Sequence, residues 1–184
     1  MEEIAKEILI KASQGDMKAY EDVYKSSNSF IYNVAYRVVN NREDALEVAQ
    51  EVFMIIYHKL KDFRFESSFK TWVYRITANT AINYAKKLYR NKTVPFEESY
   101  GEGAVESDVH VQMDQEHQDK LVESLLAQLN PEQRACVVMR EIQVLSYEEI
   151  AKALNININT VRSRLKRSRE KLLSLKKTVN YEKV

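Results

Sequence analysis

Positively charged side chains are concentrated in one stretch near the C-terminal end of this 184-residue sequence. Between Arg162 and Lys177 there are eight Lys or Arg residues, and Glu170 is the only acidic residue among them. Like charges at this spacing repel one another on a helix, and a bound polyanion would relieve the repulsion. A solvated basic face is the simpler alternative. The excess of cations nevertheless favours phosphate binding, which indicates a nucleic acid as the partner.

Two predicted helices would position these cations. Residues 146–149 have the capping-box pattern that begins a helix, and Asn155 suits a tight connection because Asn tolerates left-handed backbone angles. The next helix, predicted over about 157–177, has Val161 and Leu165 on one side. This spacing is typical of a helix-turn-helix, whose outward side chains read base edges while flanking cations hold phosphates. The side chains on the outer face and its flanks are Asn159, Arg162, Ser163, Arg164, Lys166 and Arg167.

A second group of aromatic and polar side chains lies in the first half of the sequence. A predicted loop contains Phe63, Arg64 and Phe65, and Trp72 follows in a helix predicted over 68–90. Rings beside cations suit unpaired bases, because every base has a face that stacks. The same rings could equally belong to a hydrophobic core, and their spacing does not decide between the two. The predicted helix adds one strip of donors and cations, namely Arg75, Asn79, Asn83 and Lys86.

The predicted helix from about Glu43 to Leu60 is apolar on more than one side. Its main stripe has the spacing of a core face, while Leu46, Met54 and Tyr57 lie off that stripe. Such a helix is either central in its domain or presents a second face to a partner. Periodicity alone favours neither interpretation.

The rest of the composition excludes several classes of protein. With only 3 Gly and 2 Pro, the chain lacks the turn residues that sheets need, so the sequence predicts an all-α fold. The single cysteine, Cys136, permits neither an intrachain disulfide nor a cysteine zinc finger, and the three histidines have no metal-ligand spacing. No pairing of a nucleophile with a base is visible. We therefore expect no metal, no cofactor and no enzymatic activity.

The start of the chain and its apolar runs bear on where the protein acts. No apolar run approaches the roughly 20 residues that a transmembrane helix needs. The acidic start, Met1–Glu3, does not fit a signal peptide. We expect a cytoplasmic protein with no direct membrane insertion.

The distribution of charge predicts two domains. The net charge is +2 over the first 90 residues, −7 over the next 29 and +6 over the last 65. An acidic, glycine-containing segment between two helical blocks is typical of a solvated linker. We expect small helical domains over 1–92 and 115–184, joined by a flexible linker over 93–114. Within the first domain, Asp16 is predicted to cap one helix and a separate helix is predicted from about Ser29.

Several motifs occur together in an order that characterises one protein family. Residues 45–53 and 69–76, with Asn79, resemble region 2 of the extracytoplasmic-function (ECF) subfamily of bacterial RNA polymerase sigma-70 factors. Region 4 of the same subfamily is similar to residues 129–134, 146–151 and 160–169. The resemblance covers nearly the whole chain apart from the acidic linker. It implies a region 2 helical bundle followed by a region 4 helix-turn-helix.

The resemblance also implies partners and sites. Region 2 of the family docks on the clamp coiled coil of the largest polymerase subunit, and region 4 binds the flap of the second-largest subunit. Both regions contact promoter DNA, and an anti-sigma factor usually holds such proteins inactive. The implied polymerase contacts are Glu47, Gln50, Glu51 and Met54. The implied minus-ten residues are Arg64, Phe65, Ser67, Ser68, Trp72, Arg75, Asn79, Asn83 and Lys86. The implied minus-thirty-five residues are Asn159, Thr160, Arg162, Ser163, Arg164, Lys166 and Arg167.

The function that this resemblance implies is that of a sigma factor, which binds RNA polymerase core and directs promoter-specific transcription initiation. Such a protein is not an enzyme. The alternative is a stand-alone helix-turn-helix transcriptional regulator, in which the N-terminal half would be a sensor or dimerisation domain.

Overall fold

The computed structural model describes residues 1, 3–91 and 115–181, and within these ranges all regular structure is helical. A 3-10 turn (Leu60–Asp62) follows the third helix, and a π-helical turn (Val138–Ile142) follows the sixth. The all-α prediction is confirmed, and the predicted linker over 93–114 lies outside the described residues. The helices are α1 (Lys6–Ser13), α2 (Met17–Val39), α3 (Arg42–Lys59), α4 (Phe69–Asn91), α5 (Gln115–Ala127), α6 (Pro131–Val137), α7 (Tyr147–Leu154) and α8 (Ile158–Tyr181).

Helices α1 to α4 form an N-terminal bundle in which α2, α3 and α4 pack against one another. Asp16 caps α2, since its carboxylate accepts hydrogen bonds from the backbone N–H groups of Lys18 and Ala19 at 2.9 and 3.0 Å. The αL conformation of Asn40 ends α2, and the side chain of Asn41 caps α3. Both caps are local and follow from residue type, because short polar side chains satisfy the free groups at helix ends.

Helix α2 is continuous, so the predicted separate helix beginning near Ser29 is wrong. The polar run from Lys25 to Ser29 resembles a break in the sequence. Ser27 is nevertheless fully buried, and Val23 and Ile31 on either side of the run are buried with it. A continuous buried face therefore crosses the polar run. Tertiary packing here outweighs the weak helix propensity of Ser and Asn.

Helices α6, α7 and α8 form the C-terminal unit. Asn130 and Gln133 make a capping box with proline at the first helical position of α6, and Ser146 and Glu149 make a capping box on α7. Asn155 takes the left-handed conformation, at φ 52°, in the connection to α8. The predicted helix-turn-helix is thus present, with its start signals and its turn as the sequence indicated.

The bundle and the C-terminal unit share one hydrophobic core. The same buried cluster contains Val38 of α2, Ala78 of α4, Cys136 of α6, Met139 of the π-helical turn and Ile150 of α7. Contacts run from α6 to α2 and α4, and from α7 to α4. The C-terminal unit therefore packs directly on the bundle.

Candidate nucleic-acid interface

The outer face of α8 carries most of the predicted minus-thirty-five residues. Val161 and Leu165 are buried on the inner side. Asn159 accepts a hydrogen bond from Arg162 at 3.1 Å, which orders two of the outer side chains. Thr160 is half-buried at the start of the helix. The exposed members of the set, called here the α8 outer face, are Asn159, Arg162, Ser163, Lys166 and Arg167.

Arg164 differs from the other predicted residues of α8 because it turns inward. Its side chain is only 19% exposed, and its Nη2 lies 2.8 Å from Oε2 of Glu132 on α6. The second oxygen of Glu132 makes an ion pair with Lys86 of α4. Burial acts to raise the pKa of Glu132, but the hydrogen bond from Lys86 and the charge of Arg164 hold it below its ordinary value. Glu132 therefore links a predicted minus-thirty-five residue to a predicted minus-ten residue.

The polar residues predicted on α4 form one strip, called here the α4 strip. Arg75 and Asn83 are exposed. Asn79 is half-buried, and its amide nitrogen donates to the carbonyl of Arg75 at 2.8 Å and to that of Ala153, on α7, at 2.7 Å. Both amide hydrogens of Asn79 are thereby used. Arg75, Asn79, Asn83 and Lys86 make up the strip.

The loop before α4 is held by an aromatic cluster. Phe63 and Phe69 are buried, and the half-buried ring of Trp72 lies 5.1 and 5.7 Å from their centroids. The sequence left core and base-stacking roles open for these rings, and burial favours core for the two phenylalanines. Phe65 is 39% exposed with φ at 55°, and the ammonium of Lys6 lies 4.9 Å from its ring centroid.

The two serines of this loop differ in their surroundings. Ser67 is half-buried, whereas Ser68 is exposed and its hydroxyl accepts from the backbone N–H of Thr71 at 3.1 Å, which caps the start of α4. Arg64 is exposed. The structure thus places exposed polar groups and one exposed ring in the loop that leads into α4.

Helix α3 has both a core face and an exposed face, and a partner for the exposed face stays a prediction. Its stripe from Ala45 to Ile56 is buried. Leu46 and Met54 are 55% and 64% exposed. The predicted polymerase contacts Glu47, Gln50, Glu51 and Met54 all lie at the surface, and they are called here the α3 face.

Tyr84 of α4 fixes one end of the α3 face. Its hydroxyl donates to Oε2 of Glu47 at 2.7 Å and lies 3.1 Å from Oδ1 of Asp44. The hydrogen bond to Glu47 is the main reason that the pKa of Tyr84 is raised. At the other end, the hydroxyl of Tyr20 donates to the carbonyl of Phe53 at 2.7 Å, and burial raises the pKa of Tyr20 to about 12.

Sequence reasoning missed the residues that join the two halves. Arg134 is 5% exposed, and it donates to the carbonyls of Leu126, in α5, and Leu129, just before α6. It also donates to the carbonyl of Val38, on α2, at 2.8 Å. Glu132 and Arg134 carry no signal in the sequence that would reveal these partners, because the partners are brought near by the tertiary fold. From the sequence alone, a charged residue in the first turn of a helix is expected to lie at the surface.

The described residues contain neither a metal-binding cluster nor a membrane-spanning helix. Among the described residues, no group of three or more His, Cys, Asp or Glu side chains could hold a metal ion. Over the same ranges, no helix combines the length and the apolar character needed to cross a membrane. Cys136 is a buried free thiol, and burial raises its pKa.

Known proteins resemble the chain in both halves. Residues 23–91 match the family Sigma-70 region 2, and residues 119–172 match the family Sigma-70, region 4. The ECF RNA polymerase sigma-E factor of Haemophilus influenzae is 33% identical over 168 residues, which cover 87% of this chain and 88% of that protein. The ECF RNA polymerase sigma factor SigE of Mycolicibacterium smegmatis is 30% identical over 162 residues, covering 86% of this chain and 62% of the relative.

The fold is also similar to that of solved structures. In the co-crystal structure of the sigma factor RpoE in complex with the anti-sigma factor NepR from Bartonella quintana, the matched chain has a TM-score of 0.62 at 22% identity. The match covers 87% of this chain and 98% of the other. At this level of identity the likeness supports the arrangement of helices.

Proposed function

The chain belongs to the ECF subfamily of bacterial sigma-70 factors, which bind RNA polymerase core and direct promoter-specific initiation, and we propose that three of its surfaces divide this work. These are the α3 face, the α4 strip with its preceding loop, and the α8 outer face. The match to region 2 accounts for residues 23–91, so a stand-alone regulator with an unrelated N-terminal domain is not favoured.

The α3 face docks on the clamp coiled coil of the largest polymerase subunit. It combines exposed carboxylates and an exposed methionine beside exposed Leu46 and Tyr57. An exposed apolar patch with a polar rim is the usual form of a protein-binding surface. Tyr84 holds Glu47 in place, which lowers the loss of side-chain entropy on binding.

The α4 strip and its loop recognise and open the minus-ten element. Asn79 offers an amide donor and an acceptor, which suit the edge of an extruded base. Arg64 and Phe65 supply a cation and an exposed ring beside it. Together with Ser67, Ser68 and Trp72, they form the surface over which the separated strand would pass.

The α8 outer face reads the minus-thirty-five element as duplex. It lies opposite the buried Val161 and Leu165, so the core fixes which side chains point outward. Ser163 and Arg167 face away from the core and address base edges, and Arg162 leaves at the flank where phosphates run. This exposed basic face on a helix-turn-helix is the observation that carries the DNA-binding part of the proposal. The C-terminal unit also binds the flap of the second-largest subunit.

Several further features follow from the same assignment. The protein has no catalytic activity of its own, since sigma factors supply recognition to an enzyme. It acts in the cytoplasm, where the polymerase is. We propose an anti-sigma factor as a further partner, supported by the complex of the similarly folded Bartonella quintana sigma factor RpoE with the anti-sigma factor NepR.

Run-off transcription with bacterial core polymerase on a genomic promoter library tests this function. The promoters of the mapped start sites should share two sequence elements, one near minus ten and one near minus thirty-five. The corresponding transcripts should disappear when the chain is omitted. A library that yields the same transcripts with and without the chain would refute the proposal.

A further inference from the structure

Lys6 and Phe65 are far apart in the sequence but meet at the surface of the bundle. The ammonium of Lys6, the first residue of α1, lies 4.9 Å from the centroid of the Phe65 ring, which is a cation–π distance. Both side chains are exposed. Phe65 belongs to the loop that leads into α4, for which a role at the minus-ten element is proposed above. The contact therefore joins α1 to that loop.

Helix α1 is a fixed support for this contact. Leu9 and Ala12 are buried in the core of the bundle. Contacts run from α1 to α2 and to the 3-10 turn, Leu60–Asp62, which immediately precedes the loop. Lys6 lies less than one helical turn before Leu9, so core packing sets the position of its backbone beside the loop.

The place of Lys6 within α1 is electrostatically unfavourable without a partner. The N-terminal end of a helix carries partial positive charge, so it favours anions and disfavours a cation in the first turn. Ala5 is the N-cap residue and offers no side-chain acceptor. The ring of Phe65 presents the partial negative charge of its π-electrons to the ammonium, which offsets part of this penalty.

The backbone of Phe65 is strained, and the strain does not bury the ring. Its φ is 55°, in the left-handed region that bulky residues rarely adopt. The ring packs on buried Phe63, with the two centroids 4.7 Å apart, yet it stays 39% exposed. A strained residue that leaves its ring at the surface adds little to the core. Strain of this kind is concentrated at binding sites, where surrounding contacts maintain it.

We propose that Lys6 is a positioning residue for the minus-ten loop, because its ammonium holds the ring of Phe65 at the surface where an unpaired base stacks on it. This role rests on the function proposed for the loop. A ring that is already held loses less conformational freedom when a base binds, so stacking becomes more favourable. Lys6 thereby acts through Phe65 and makes no base contact of its own.

Fluorine NMR on the full chain measures the contact in the free protein. The sequence has six phenylalanines, so uniform labelling with 4-fluorophenylalanine gives six signals, and Phe65→Leu identifies one of them. Lys6→Gln removes the charge and should shift the Phe65 signal, whereas Lys6→Arg keeps a cation and should leave it nearly in place. Lys11→Gln is the matched control, since Lys11 is an exposed residue of the same helix. An identical Phe65 signal in Lys6→Gln and Lys11→Gln would overturn the proposal.

The rate of open-complex formation by the holoenzyme on a mapped promoter tests the role in DNA opening. Lys6→Gln should slow this step about two- to fivefold, which is the effect of losing an exposed cation–π contact. Lys6→Arg and Lys11→Gln should keep the rate of the unsubstituted protein. In a Phe65→Leu background, Lys6→Gln should cause no further slowing, because residues that act through one contact are not additive. Circular dichroism checks that each variant is folded.

Three results would contradict the positioning role in different ways. Equal slowing by Lys6→Gln with and without the Phe65 ring would show that Lys6 contacts DNA directly, and a salt dependence shallower by about one ion would identify a phosphate contact. A normal rate for Lys6→Gln beside a slow Phe65→Leu would overturn the positioning role and leave the function of the loop intact. A normal rate for Phe65→Leu would overturn the function of the loop itself, and the positioning role with it.

Discussion

Arg167 and Arg164 lie one turn apart on α8, yet the structure predicts different consequences for their removal. Arg167 is exposed on the α8 outer face, while the side chain of Arg164 is 19% exposed and bound to Glu132. Arg167→Ala should cost about 1–3 kcal/mol on the preferred minus-thirty-five sequence, which is the usual worth of a bidentate contact to a base. That corresponds to about a 5- to 150-fold loss of affinity. Discrimination at one or two base pairs should be lost with it.

Arg164→Ala should act mainly on the protein itself. The ion pair between Arg164 and Glu132 is partly buried, so it should contribute more than a surface pair and less than a fully buried one. Its loss should destabilise the C-terminal unit by about 1–2 kcal/mol. A contact between Arg164 and a phosphate in the holoenzyme would instead weaken binding to all DNA sequences alike, and the variant would then make the salt dependence shallower by about one ion. Arg169→Ala is the matched control, since it removes the same charge from an exposed pair with Glu141.

The assay is binding of the assembled holoenzyme to promoter fragments with single base changes at minus thirty-five, across a salt titration. Thermal unfolding of each free variant separates stability from DNA contact. The reasoning fails if Arg164→Ala is sequence-selective and stable while Arg167→Ala weakens every fragment equally. The assignment of the α8 side chains that face the DNA would then be wrong by about a quarter of a helical turn.

Three further changes test other surfaces. Combining Gln50→Ala with Met54→Lys should weaken binding to core polymerase at least tenfold. The melting temperature should stay nearly unchanged, because both side chains are exposed. Unaltered affinity in a pull-down with core would show that α3 is not part of the interface. Asn79→Ala should slow open-complex formation on duplex promoters far more than on templates mismatched at minus ten, whereas equal slowing on both would indicate a folding defect. Asn155→Ala should destabilise the protein by about 1–2 kcal/mol in urea unfolding, because the backbone φ at this position is 52°. Asn155→Gly should be nearly neutral, since glycine adopts this conformation without strain. Equal stability of the two variants would contradict the turn geometry.

The sequence predicts the local features of the fold well because their causes are local. Asp16, Asn130 with Pro131, and the Ser146–Glu149 box begin helices where expected, since each cap depends on side chains a few residues away. The same holds for Asn155. The outward phase of α8 follows from Val161 and Leu165, which the core buries. Local chemistry thus accounts for the helix-turn-helix.

The features that the sequence does not predict all depend on distant residues. A helical wheel puts Arg164 on a flank, but Glu132, which draws it inward, lies 32 positions earlier and reaches it only through the fold of α6 against α8. The hydrogen bond from Asn79 to Ala153 spans 74 positions. The continuity of α2 depends in the same way on burial of Ser27. Which surfaces are covered is therefore a tertiary property.

Tethered DNA cleavage tests most directly whether the two proposed DNA-reading surfaces of this chain act together in one polymerase. An iron chelate would be attached to a single cysteine at the position of Glu66 or of Glu170, both exposed, in a Cys136→Ala background. In the holoenzyme on a mapped promoter, the chelate at position 66 should cut DNA at the minus-ten element and the chelate at position 170 near minus thirty-five. Cleavage at the opposite elements, or none from either position in an active complex, would contradict the account.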